Sequence, residues 1–93
     1  MPASPRKVAS RWLRAAFELN MDQHEYVWGL GASFGRESPD RSYSSLTREL
    51  IRLYPKIVRD LRLGDLKADA DDPAFQEILD AFEEGYRSGE RSV

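Results

Sequence analysis

The stretch SSLTRELIRLYPKIVRDLRLG, residues Ser44 to Gly64, decides the fold. Its apolar residues stand at 46, 50, 53, 54, 57, 58 and 61, spacings of three and four that gather them on one side of an α-helix. The opposite side carries Arg48, Arg52, Lys56 and Arg59, with Arg62 close by. Pro55 interrupts the pattern: it has no N–H for the carbonyl of Ile51, and its ring crowds that carbonyl. The stretch is therefore expected to be one kinked helix, or two helices over about 44–54 and 55–63. Gly64 is expected to end it in the left-handed conformation.

Upstream, Ser4–Pro5 reads as an N-cap followed by the proline tolerated at the first helical position, opening a helix over about 5–20. Its inner stripe would be Val8, Trp12, Ala15, Ala16 and Leu19, with Leu13 and Phe17 widening it. An Arg-rich start with no acidic residue before Glu18 also suits a targeting or membrane-surface helix. Trp12 and Phe17 point to different sides, however, which favours burial between two neighbours. The next helix is expected over 23–34, capped by Asp22 with Glu25 completing a capping box. Val27, Leu30, Gly31 and Phe34 would share one face. Gly29, Gly31 and Gly35 each cost about 1 kcal/mol relative to Ala in a helix, so a short strand at 26–28 followed by a loop competes. The helix reading holds if the glycines admit another element at close range.

Residues 36–43 read as a polar loop turning at Pro39–Asp40. Downstream, an acidic linker over 65–72 leads to Asp72–Pro73, which opens a last helix over 73–86. Phe75, Ile78, Leu79, Phe82 and Tyr86 would face inwards; Glu77, Asp80, Glu83 and Glu84 would face outwards. The sequence thus predicts one all-α domain over 1–93, a compact small bundle of four to five helices with disordered ends at about 1–3 and 88–93.

With 93 residues the chain has room for one domain. It has no cysteine, which suits a reducing compartment, and a cytoplasmic location is expected. No apolar run approaches the ~20 residues that span a bilayer, and no secretory signal is evident, so no membrane association is expected. Charge is unevenly spread. Residues 1–63 hold eleven Lys and Arg against seven Asp and Glu; residues 64–93 hold three against nine.

Three stretches invite a chemical reading. Gly29 to Gly35, GLGASFG, has the glycines of a phosphate loop, but at the wrong spacing and without a βαβ frame. His24, the one histidine, stands near Asp22 and Glu25, yet the three do not share a helical face. The acidic run from Asp65 fails as a calcium loop: its third position is Lys67 and its sixth is Ala70, where glycine is needed. No catalytic residue, metal site or cofactor is therefore expected. Trp12 and Trp28 read as core fillers or interface anchors. The opening RKVASRWL, Arg6 to Leu13, resembles the starts of some phage-encoded proteins; the likeness covers under a tenth of the chain and brings no functional residue.

The surfaces carry what functional expectation there is. A non-catalytic protein-interaction module, such as an adaptor, an inhibitor or a small subunit of an assembly, would use the basic face Arg48, Arg52, Lys56, Arg59 and Arg62. The acidic face Glu77, Asp80, Glu83 and Glu84 would be a second contact surface. The alternative is a nucleic-acid-binding regulator on the same basic face. Arg48 to Arg62 would span about 21 Å, enough to follow several phosphates, but Glu49 and Asp60 interrupt that patch and the chain is net negative.

Overall fold

A computed structural model describes residues 18–64, 68–69 and 71–92. Among these residues there are three helices and no strand: α1 over Met21–Glu37, α2 over Tyr43–Leu61 and α3 over Pro73–Arg91. The all-α expectation stands, and the count of four to five helices is corrected. Residues 5–17 of the first expected helix lie outside the described residues. Glu18 to Asn20 do not extend it, since they adopt no regular structure. Asn20 is extended (φ −71°, ψ 174°) because it caps α1. Its Oδ1 accepts from the Gln23 backbone N–H at 2.8 Å, while its own N–H donates to Gln23 Oε1 at 3.0 Å. The capping box is real, but it is Asn20–Gln23 and not Asp22–Glu25.

The second correction removes the break at Pro55. α2 is one helix of 19 residues with the proline inside it. Leu46, Leu50, Tyr54, Ile57 and Val58 are buried, whereas Pro55 and Ile51 are exposed. The carbonyl that loses its N–H therefore lies on the watered side, where solvent can satisfy it. The five buried side chains hold the helix together across the missing bond. α2 ends at Arg62, in the left-handed region (φ 56°, ψ 49°), two residues before the expected Gly64, which itself has the expected positive φ of 81°. The Arg62 N–H donates to the Arg59 carbonyl and the Leu63 N–H to the Val58 carbonyl, at 3.2 and 3.0 Å. This is a Schellman closure, and it turns Leu63 back against the core.

α1 and α3 meet backbone to backbone. A Cβ on Gly31 would fall on the Phe82 carbonyl, and one on Gly35 on the Tyr86 carbonyl. Reciprocally, a Cβ on Gly85 would strike the Trp28 carbonyl and one on Gly89 the Ala32 carbonyl. Contacts advance along both helices together, so the pair is parallel. Each helix contributes two glycines four residues apart, which lie one above the other on a single helical face. The close approach expected of the glycines is thus found at Gly31 and Gly35. Gly29 meets nothing within 4 Å. The same contact carries α3 beyond its expected end at 86 to Arg91, since Gly89 is part of it.

α2 runs against both partners: Asp60 near its end reaches Tyr26 near the start of α1, and Tyr54 meets Phe75 at the start of α3 with ring centroids 5.3 Å apart. The core lies between the inner face of α2 and the α1–α3 pair. It contains Val27, the five α2 residues, and Phe75, Ile78, Leu79, Ala81, Phe82 and Tyr86. Trp28 is half-buried, its backbone against Gly85. The α1–α2 loop is tied down by the end of α3. The Tyr86 hydroxyl donates to the Ser38 carbonyl at 2.6 Å and accepts from the Arg41 N–H at 2.7 Å. Glu90 Oε2 accepts from the N–H of Asp40, which is left-handed at φ 65°.

Two pairs of substitutions test this packing by thermal or urea melts. Gly31→Ala should destabilise by about 2–3 kcal/mol because the helices must part. Gly29→Ala, in open space, should stabilise by about 0.5–1 kcal/mol. Tyr86→Phe strips two loop groups of their partner and should cost about 1–3 kcal/mol. The Tyr54 hydroxyl is buried without a hydrogen bond; Tyr54→Phe should therefore be neutral or stabilise by about 1 kcal/mol.

Candidate interaction surface

α2 buries one side only, and no other described element covers its outer side. Arg48, Arg52, Lys56, Arg59 and Arg62 are all exposed there. They are not electrostatically equal. Arg52 makes a two-pronged bond to Glu49, Nε to Oε1 at 3.1 Å and Nη2 to Oε2 at 2.6 Å. Arg59 Nε lies 3.5 Å from Asp60 Oδ1. Arg48, Lys56 and Arg62 have no ion pair among the described residues. Of the five cations anticipated from the sequence, four stand on the outer side of α2 and Arg62 just past its end, and neighbouring carboxylates hold Arg52 and Arg59.

Asp60 also receives the Tyr26 hydroxyl from α1, Oη to Oδ2 at 2.5 Å. Burial first, then the hydrogen bond to Asp60 and its charge, push the Tyr26 phenol up to about 12, against a smaller opposing effect of Arg59. The same hydrogen bond holds the Asp60 carboxyl below its usual range; Arg59 and Lys56 add to this, and desolvation opposes it. Neither a helix period nor a local motif signals this contact, because its two residues are 34 positions apart. Ile51 was also missed: 47% exposed, it sits among the cations and not in the core.

The acidic face divides. Glu77, Asp80 and Glu84 line a pocket of about 320 Å³ together with Glu18, Leu19, His24 and Ala81. Glu83 turns away from it and pairs with Arg87 at 3.6 Å. His24 is thus brought towards carboxylates from another helix, which the sequence did not show. Even so, among the described residues no three His, Cys, Asp or Glu side chains are placed to hold a metal ion. Nor is any helix among them long and apolar enough to cross a membrane. Comparison with protein-family models, curated proteins and solved structures returns no match.

The Tyr26–Asp60 contact fixes a pH dependence. Asp60, lowered in the fold, contributes stability above the usual carboxylate range and loses it as pH falls through its depressed value. Tyr26, raised in the fold, contributes below pH 10 and loses that contribution as pH rises towards about 12. The melting difference between the wild type and Tyr26→Phe should accordingly be flat through neutral pH and shrink at both extremes. A difference that persists unchanged below pH ~3 would contradict the assignment.

Proposed function

We propose that this domain is a non-catalytic protein-interaction module that engages an acidic protein through the outer face of α2. The observation that carries this reading is the row of five exposed cations around exposed Ile51, on a helix face that no other described element covers. Arg62 adds support. It occupies a left-handed position where an L-residue costs about 1 kcal/mol and glycine is the common choice. A strained position that keeps a cation is most simply understood if the cation is used.

A nucleic-acid regulator on the same face is less well supported. Glu49 and Asp60 occupy Arg52 and Arg59 and place negative charge beside any phosphate track. Glu77, Asp80 and Glu84 offer a second surface of opposite sign for the same assembly.

The test is affinity capture from the native host at low salt, with and without nuclease. An acidic protein should be retained despite nuclease and released when Arg48 and Arg62 are both changed to Glu. Retention that needs nucleic acid, or that survives the double change, would count against the reading. Arg62→Gly should separate the two roles of that position. It should raise stability by roughly 0.5–1 kcal/mol while weakening capture.

A further inference from the structure

Resting on the interaction reading above, we propose that the outer face of α2 receives an acidic amphipathic helix. One apolar side chain of that helix seats against Ile51 and Pro55, and its carboxylates pair with the arginines on either side.

Spacing comes first. Arg48, Arg52, Pro55, Arg59 and Arg62 follow steps of four, three, four and three. That alternation keeps a row in line with a neighbouring helix, as in the seam of a coiled coil. The row runs about 21 Å, four turns, with its last member just past the helix end. A helix laid along the part within α2, Arg48 to Arg59, would stay in register, with Arg62 at its end.

Chemistry follows. The middle of the row is apolar: Pro55 is exposed, and Ile51, one turn before it, is 47% exposed. An apolar centre inside a charged rim is the anatomy of a protein interface. A phosphate backbone has nothing to place there. The rim suits carboxylates, which guanidinium groups hold in a planar, two-pronged geometry; the apolar centre and the spacing, not that geometry, set them apart from phosphates. A partner helix repeats its side chains every three or four residues, so its carboxylates can fall beside Arg48, Arg59 and Arg62 and avoid Glu49 and Asp60. A polyanion with evenly spread charge cannot avoid them.

The experiment uses two labelled synthetic peptides of about 20 residues and identical composition. One carries Glu at alternating steps of three and four with a single central Leu on the same face. The other has those residues shuffled around the helix. Fluorescence anisotropy at low salt should show the first binding at least tenfold more tightly than the second. Ile51→Ser should weaken the first about fivefold or more while leaving the helical circular dichroism and the melting curve of the protein intact. Equal binding of the two peptides would overturn the helical partner and leave the acidic-protein reading standing. Failure of both peptides to bind, or tighter binding of a labelled DNA duplex, would overturn both.

Discussion

Backbone against backbone, where α1 crosses α3, is the constraint from which the remaining architecture follows. Four glycines make it possible, two on each helix, and each lies over a carbonyl of the other helix. At that separation no side chain fits between the helices at the four glycines, so the pair has no apolar seam of its own there. It needs a third element to fill the wedge beside it. Because the two helices are parallel, the chain must travel back between them, and α2 does so. Its inner face supplies Leu46, Leu50, Tyr54, Ile57 and Val58, the large side chains that the glycine contact cannot provide. α1 gives the shared core only Val27 as a fully buried large residue. The outward face of α2 is the consequence: a helix laid over a two-helix platform has one side free.

The loop between α1 and α2 is drawn into the same contact. Gly35 packs on the backbone of Tyr86, and the Tyr86 side chain, fixed from that position, reaches Ser38 and Arg41. Phe34 stacks on Phe82 with ring centroids 6.2 Å apart and meets Tyr86 at a tilt, 5.5 Å away, and the Arg41 guanidinium lies 5.7 Å from the Phe34 ring centroid. Asp40 adopts a left-handed backbone there, which Asp tolerates better than most residues. Its N–H is met by Glu90, one residue past Gly89. The turn into α2 is therefore set by the last two turns of α3, well away in sequence.

What could be read from the sequence was whatever depends on one helix at a time. The inward and outward faces of α2 and α3 follow from spacing, and Phe75, Ile78, Leu79, Phe82 and Tyr86 are buried as their positions imply. The behaviour of Pro55 was also within reach, because its place opposite Leu50 and Ile57 puts the lost hydrogen bond in water. Other features depend on two helices. The glycines of α1 allow a close approach, but which of them makes it, Gly31 and Gly35 and not Gly29, and against which helix, follows only from the pairing with α3. Parallel pairing, the continuation of α3 to Arg91 and the Tyr26–Asp60 bond belong to the same class. The end of α2 is a third case. Arg62 takes a left-handed turn ahead of Gly64, which is also left-handed, and stopping there returns Leu63 to the core, a gain that composition does not reveal.

The carboxylates within the basic face change its character more than its strength. Glu49 takes Nε and Nη2 of Arg52, which holds the guanidinium in one orientation. Nη1 remains as a donor. Such a group has already lost much of its rotamer freedom, so a partner engaging it gives up less entropy on binding. It is also closer to neutral, so it attracts at short range and adds little to the long-range field. Arg48, Lys56 and Arg62, without such pairs among the described residues, supply that field. Among the described residues the face has three cations without an ion pair and two tethered ones, which on the proposed reading would draw in an acidic surface and then test its geometry. That division of labour suits recognition of one arrangement of carboxylates over mere attraction to negative charge.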